Sequence, residues 1–205
     1  MNKNETKDGF VSHLVELRER LIHSFIFLFV FFIVCYFFAE YLYGFLVEPY
    51  AQAVKDDGSE RRLIFTALQE TFLTYLKVSF FAAFFVTSPF ILIQIWKFIA
   101  PGLYKHEKQT IMPYLIATPI LFFLGGVLVY YLIMPLAIKF FLSFESGGLA
   151  TNLPIELELK VNEYLSLVMK LIFAFGLSFQ LPVVLSLLAR IGVVDSKFLK
   201  KRRKY

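Results

Sequence analysis

The stretch WKFIAPGLYKHEK, from Trp96 to Lys108, decides how this chain is organised. An apolar run ends at Trp96 and an uncharged run follows Lys108, so a short polar segment separates two runs of membrane-spanning length. Pro101 fixes φ and removes a backbone donor, while Gly102 permits a tight turn. The pattern predicts a stiff loop at a membrane surface, which can hold the carboxylate of Glu107 in a fixed place. The simpler interpretation is that the charges only keep this loop in water on the cytoplasmic side.

The composition indicates that the whole chain is a membrane protein. Of its 205 residues, 58% are hydrophobic and 26 are phenylalanine, whereas soluble domains average about 45–50% apolar residues. Four runs without Asp, Glu, Lys or Arg are long enough to cross a hydrocarbon core of about 30 Å. They are Leu21 to Ala39, Val78 to Trp96, Gln109 to Ile138 and Leu171 to Ala189. Because the runs are continuous rather than alternating, they predict helices and exclude a membrane β-barrel.

The predicted fold is all-α: a polytopic membrane protein with one membrane domain over residues 1–205, folded as a kinked, concave bundle of four transmembrane helices. The kinks are predicted from prolines within the spans, since neighbours must supply partners for the carbonyls that a proline frees. These prolines are Pro89, Pro113, Pro119, Pro135 and Pro182. A short amphipathic helix, with apolar residues at helical spacing from Phe10 to Leu21, is expected to lie on the inner leaflet and then turn into the first span.

The charge distribution predicts the orientation. The net charge is +5, and the basic residues cluster before the first span, between the second and third, and after the fourth. These clusters alternate with less basic loops, which is typical of a membrane protein rather than a nucleic-acid-binding protein, and the positive-inside rule places both termini in the cytoplasm. The predicted spans are about 21–45, 73–98, 110–138 and 165–189, with cytoplasmic segments 1–20, 99–109 and 190–205 and external segments 46–72 and 139–164.

Few residues outside this pattern suggest chemistry. Glu16 precedes Arg20 by one helical turn, and the simplest interpretation is an i, i+4 ion pair. Pro49 is expected to bound a helix in the first external region, and Thr66 to Glu70 to start the next helix. Gln180, within the fourth span, needs a hydrogen-bond partner in a neighbouring helix or in another protein.

No metal site or cofactor is predicted. The histidines are too scattered to indicate metal ligands, and they are expected to make polar surface or interfacial contacts: His13, His23 and His106. The sequence contains neither a P-loop nor a nucleophile–base pair, so we do not expect an enzyme.

Three stretches resemble the TatC family, the multi-spanning core of the twin-arginine protein translocase. They are HLVELRERL at 13–21, FLTYLKVSFFAAFFVTSPFILIQIWKFIAPGLYKHEK at 72–108 and EYLSLVMKLIFAFGLSFQLPVVLSLLARIGVV at 163–194. The resemblance implies a receptor in the bacterial inner membrane that binds twin-arginine signal peptides and exports folded proteins with its single-span partners TatA and TatB. It also implies a homo-oligomer within the receptor complex and use of the proton-motive force.

The same resemblance implies roles for individual residues. Glu16 in HLVELR and Glu107 in LYKHE match the two carboxylates that recognise paired arginines. The residues that match supporting positions of this site are Arg18, Phe98, Pro101, Leu103 and Tyr104. Pro49 matches a structural proline of the external loop. Gln180 matches a polar position, commonly glutamate, that contacts the partner helices, and a glutamine there forms hydrogen bonds but cannot titrate.

Two departures from the family pattern stand out. TALQETF at 66–72 has Leu68 where the family usually has proline, and the chain has four spans where the family has six. We therefore expect the sequence to be a fragment, a truncated form or the product of a degraded gene. The alternative function is a small-solute secondary transporter, which would need a polar site within the spans. The glutamines available for it are Gln94 and Gln180.

Overall fold

Helices make up almost all of the described chain. The computed structural model describes residues 3–57, 61–99, 108–145 and 157–190. Its helices are α1 (Lys3–Phe37), α2 (Ala39–Asp57), α3 (Glu70–Ile99), α4 (Lys108–Leu128), a π-helical turn (Val129–Ile133), α5 (Met134–Leu142), α6 (Val161–Ser178) and α7 (Leu181–Arg190). Within these described ranges, β-structure is limited to an isolated bridge between Ile64 and Lys160.

Among the described residues, four helical stretches are long and apolar enough to cross a membrane: His13–Phe37, Glu70–Ile95, Pro113–Leu142 and Val161–Ala189. The third joins α4, the π-helical turn and α5, and the fourth joins α6 and α7. This confirms the predicted all-helical fold with four transmembrane helices. Because the chain alternates direction from span to span, Phe37, Glu70, Leu142 and Val161 lie at one end of the bundle, which we call the Glu145 end. The opposite end, where α1 enters and α3 leaves, is the Glu16 end.

The predicted N-terminal helix does not turn before the first span. α1 runs without a break from Lys3 to Phe37, so the expected turn was wrong. The physical reason is local, since neither proline nor glycine occurs between Phe10 and Phe37 to interrupt the helix.

Pro49 lies inside a helix rather than at its end. α2 continues through Pro49 to Asp57, so the prediction of a helix boundary was wrong. A proline cannot donate to the carbonyl four residues earlier, which here belongs to Phe45. The Tyr130 hydroxyl donates to this carbonyl over 2.7 Å, and the Phe45 and Tyr130 rings stack with centroids 4.4 Å apart. A side chain from the third span thus supplies the donor that Pro49 lacks.

Other prolines mark the predicted irregularities of the spans. Pro89 frees the carbonyl of Phe85, to which Ser88 Oγ donates over 2.7 Å. The π-helical turn precedes Pro135, and α6 ends at Ser178 shortly before Pro182. Where proline removes a backbone donor, a hydroxyl group bonds to the freed carbonyl or the helix changes type or ends nearby.

Glycines bring α4 and α6 into close contact. A Cβ atom on Gly125 would lie 2.8 Å from the Phe175 carbonyl oxygen and 2.9 Å from Gly176 Cα. A Cβ atom on Gly176 would lie 2.9 Å from the Phe122 ring. Side chains at these positions would separate the two helices, since real Cβ atoms do not approach so closely.

The Glu145 end is held together by hydrogen bonds to carboxylates. α3 begins at Glu70, as predicted, and Glu70 Oε2 accepts from the backbone N–H groups of Thr66 at 2.8 Å and Ala67 at 3.3 Å. Glu70 Oε1 accepts from the backbone N–H of Asn162 in α6 at 3.4 Å. One side chain thus caps the start of α3 and joins it to the start of α6.

Glu145 makes a second connection at this end. Arg61 Nη1 donates to Glu145 Oε1 and Arg61 Nη2 to Oε2 at 2.7 Å, while the Leu157 backbone N–H donates to Oε1 at 2.7 Å. The hydrogen bond from Arg61, followed by that from Leu157, holds the pKa of Glu145 below its ordinary value of 4.5.

Candidate functional site

Glu16 lies on α1 and is joined to α3 through Arg20. The Glu16 Oε1 atom accepts from Arg20 Nη2 at 2.6 Å and from Arg20 Nε at 3.1 Å. Arg20 Nη1 donates to Gln94 Oε1 of α3 at 3.0 Å. The predicted i, i+4 ion pair is therefore present, and it is also a connection between the first two spans.

His13 links the same carboxylate to the end of α3. Its Nδ1 atom lies 3.7 Å from Glu16 Oε2, and its ring stacks on Phe98 with centroids 4.2 Å apart and an interplanar angle of 10°. Glu16 and Phe98, both predicted site residues, thus contact the same histidine. His13 was not predicted as a residue of this site, although its spacing of three residues from Glu16 places both on one face of a helix.

The two oxygens of the Glu16 carboxylate have different surroundings. Oε1 receives both Arg20 donors, whereas among the described residues Oε2 has only His13 within ion-pair distance. The Glu16 side chain is 35% exposed and that of Arg20 is 24% exposed. A carboxylate offers about four lone-pair sites, so this group can accept further N–H donors from solution.

The remaining predicted residues of this site are only partly described. Arg18 lies on α1 and is exposed. Glu107 directly precedes Lys108, the first residue of α4, and lies outside the described residues, as do Pro101, Leu103 and Tyr104. The structure therefore brings together Glu16 and Phe98, with His13, Arg20 and Gln94 added to them.

Comparison with known proteins identifies the family. A family model described as "Sec-independent protein translocase protein (TatC)" matches residues 12–205. The chain belongs to the TatC family. This confirms the resemblance seen in the sequence, and the family is a component of a protein translocase rather than a family of enzymes.

Curated relatives with the same name share much of the sequence. The TatC protein of Magnetococcus marinus is 48% identical over 201 residues, which cover 98% of this chain and 71% of the relative. That of Rickettsia prowazekii is 44% identical over 196 residues, covering 96% and 76%. That of Escherichia coli K12 is 33% identical over 201 residues, covering 98% and 74%.

Solved structures show the same fold. A crystal structure of the twin arginine translocase receptor TatC superposes with a TM-score of 0.79 at 37% identity, covering 94% of this chain and 81% of the other. A second crystal structure of that receptor, in DDM, gives a TM-score of 0.79 at 38% identity, covering 94% and 82%. The four-span bundle is therefore a TatC fold.

Gln180 makes an interhelical bond in this TatC-family chain. It lies between α6 and α7, is 8% exposed, and its Nε2 donates to the Thr118 carbonyl of α4 at 2.8 Å. This agrees with the simpler of the two predictions for Gln180, a partner in a neighbouring helix. Within the described residues, no group of three or more His, Cys, Asp or Glu side chains is placed to hold a metal ion.

Proposed function

We propose that this chain is a receptor subunit of the twin-arginine translocase, in which Glu16 and Glu107 bind the paired arginines of export signal peptides. The observation that carries the proposal is the Glu16 carboxylate, which is tied to α3 through Arg20 and Gln94 while its side chain remains 35% exposed. Phe98, in contact with His13, is the supporting residue of this site at the end of α3. Arg18, Pro101, Leu103 and Tyr104 complete it.

The chemistry of the carboxylate favours arginine. A guanidinium is planar, remains charged, and presents its N–H donors in a fork that matches a carboxylate. A lysine ammonium is a strongly hydrated point charge without that geometry. Two carboxylates, one on α1 and one directly before α4, would thus discriminate an Arg-Arg pair from a Lys-Lys pair by directional hydrogen bonds.

The wider assembly follows from the family and the charge pattern. The chain works in the bacterial inner membrane, with both of its termini in the cytoplasm and the Glu145 end outside. It acts with TatA and TatB in a homo-oligomeric receptor complex, and Gln180, whose Nε2 is bonded to the Thr118 carbonyl, contacts their helices through the amide groups that this bond leaves over. Pro49 is a structural residue of the external side, and transport uses the proton-motive force.

The small-solute transporter receives no support from the contacts within the spans. Gln94 and Gln180, which such a site would need, already bond to Arg20 and to the Thr118 carbonyl.

The test is binding of labelled Arg-Arg and Lys-Lys signal peptides to the purified 205-residue chain at two salt concentrations. We expect the chain to prefer the Arg-Arg peptide by about tenfold or more, since each additional charge-assisted hydrogen bond contributes about 1.5–3 kcal/mol. Glu16→Gln and Glu107→Gln should each remove most of this preference.

Glu19→Gln is the matched control, because Glu19 is an exposed glutamate on the same helix and the change in charge is identical. It should bind like the unmodified chain. Unchanged Arg-Arg selectivity in a correctly inserted Glu16→Gln, Glu107→Gln double variant would contradict the proposal.

A further inference from the structure

The Glu16 carboxylate already holds a guanidinium from its own chain. Arg20 directs Nε and Nη2 to Oε1 of Glu16, and its remaining terminal nitrogen, Nη1, donates to Gln94. Side-chain exposures of 24% for Arg20 and 35% for Glu16 leave the pair reachable from solution. The group that the site is proposed to recognise in a peptide is therefore the group that occupies it in the free protein.

We propose that Arg20 is an internal ligand of the Glu16 carboxylate. An incoming guanidinium displaces Arg20 from Glu16, and Arg20 then remains bonded to Gln94. The inference rests on the proposed function, because it describes how the same carboxylate accepts a peptide arginine. Arg20 and Gln94 thereby become residues that set the affinity of the site.

A bidentate pair between Glu16 and a peptide arginine requires that Arg20 be displaced from Oε1. A bidentate arginine uses both oxygens of a carboxylate through two parallel N–H···O bonds. Oε1 is taken by two Arg20 donors, so a peptide arginine can reach Oε2 directly but can form the bidentate pair only when Arg20 leaves Oε1.

Gln94 lowers the free-energy cost of moving Arg20 away from Glu16, because it is a second acceptor for the Arg20 guanidinium. An arginine without a partner in a partly buried position loses hydration without compensation. Because Arg20 Nη1 is already bonded to Gln94 Oε1 at 3.0 Å, Arg20 keeps one acceptor after its bonds to Glu16 are broken. Arg20 therefore depends on Gln94 more when a peptide is bound than in the free protein, since in the free protein Glu16 accepts two further hydrogen bonds from it.

The consequence is an exchange of one guanidinium for another. The carboxylate remains paired in both states, so the net gain on binding is smaller than for a vacant carboxylate. The site should therefore bind its peptide more weakly than Glu16 alone would allow, and release it more readily.

The experiment measures the affinity of the labelled Arg-Arg peptide for the purified chain and for Arg20→Gln. At low salt we expect Arg20→Gln to bind about fivefold more tightly, which corresponds to removing one like charge about 4 Å away in a water-like dielectric. Arg62→Gln is the matched control, because Arg62 is exposed at the Glu145 end and its loss changes the net charge equally. It should leave the affinity unchanged.

A double-mutant cycle tests the role of Gln94. We expect Gln94→Leu to weaken peptide binding by about threefold when Arg20 is present and to have no effect in the Arg20→Gln background, because the coupling requires both residues. A purely structural role of Gln94 would weaken binding equally in both backgrounds, and that result would overturn the assignment of Gln94.

The opposite sign for Arg20→Gln would overturn the proposal. If Arg20 only orients Glu16, Arg20→Gln weakens binding rather than tightening it. If Arg20→Gln does not insert stably, Arg20→Lys decides instead: it keeps the charge but loses the fork, and we expect about twofold tighter binding. Equal or weaker binding by Arg20→Lys counts against displacement.

The two hypotheses fail in different ways. Absence of Arg-Arg selectivity in the unmodified chain, with no effect of Glu16→Gln, refutes the proposed function and this inference with it. Selective binding that depends on Glu16, without tightening in Arg20→Gln, refutes the displacement alone.

Discussion

Two glutamate–arginine pairs, one at each end of the bundle, contain the same chemical groups in different surroundings. Glu16 and Arg20 are four residues apart on one helix, and the Glu16 side chain is 35% exposed. Arg61 and Glu145 are 84 residues apart in the chain, and the Leu157 backbone N–H also bonds to Glu145. Donors from distant parts of the chain reach both oxygens of Glu145, whereas both hydrogen bonds from Arg20 reach Oε1 of Glu16 and His13 lies 3.7 Å from its Oε2.

Removal of Glu145 should have the greatest effect on stability. Glu145→Ala deletes the acceptor for Arg61 and for the Leu157 N–H, so we expect the free energy of unfolding to fall by about 2 kcal/mol. Denaturant unfolding in mixed micelles measures this loss. Glu158→Ala, at an exposed glutamate of the same end, is the control, and Glu16→Gln, which leaves Arg20 its bond to Gln94, should lower the unfolding midpoint much less than Glu145→Ala does. Equal unfolding midpoints for Glu145→Ala and Glu158→Ala would contradict a stabilising role of the Arg61–Glu145 pair.

A second prediction concerns the neutral hydrogen bond between Tyr130 and Phe45. Tyr130→Phe removes the donor to the carbonyl that Pro49 frees, and we expect it to reduce the free energy of unfolding by about 1 kcal/mol. Pro49→Ala restores a backbone N–H to α2, so Tyr130→Phe should cost less in that background. The same unfolding assay on all four proteins of the cycle gives the coupling. Additive effects would contradict the role assigned to Pro49.

Lowering the pH should weaken the Arg61–Glu145 pair and cause a smaller loss of stability. The pKa of Glu145 is lowered by Arg61 and Leu157, so Glu145 contributes stability that is fully present above its ordinary value of 4.5. This contribution is lost as the pH falls through the lower folded-state value. Between about pH 6 and about pH 3, the unmodified chain should therefore lose more unfolding free energy than Glu145→Gln. Parallel pH profiles of the two proteins would argue against this effect.

The fold was largely predictable because its signals are local. Uncharged runs of sufficient length predict the four spans, and Thr66 to Glu70 carries the start of α3. Pro49 was misjudged because its effect depends on Tyr130, and nothing near residue 49 indicates a hydroxyl supplied by the third span. A rule based on neighbouring residues cannot include a donor so far along the chain.

In the candidate site too, local features were predictable from the sequence and contacts between distant residues were not. Glu16 and its pair with Arg20 follow from helical spacing, and Phe98 follows from a family motif. The bond from Arg20 to Gln94 joins residues 74 positions apart, and the stack of His13 on Phe98 also connects α1 with α3. The one available signal for Gln94 was its polarity within an apolar run, which indicates that it needs a partner without indicating which one.

The hydroxyl that completes α2 also sets an order of events during synthesis. Phe45 precedes Tyr130 by 85 residues and Leu46 precedes Tyr164, which donates to its carbonyl, by 118. At a translation rate of about 5–20 residues per second, Tyr130 follows Phe45 after about 4–17 s. Throughout that interval the Phe45 carbonyl, which Pro49 leaves without its helical donor, also lacks the Tyr130 hydroxyl. The two hydroxyl groups that bond to α2 can therefore reach it only after the third and fourth spans have been synthesised.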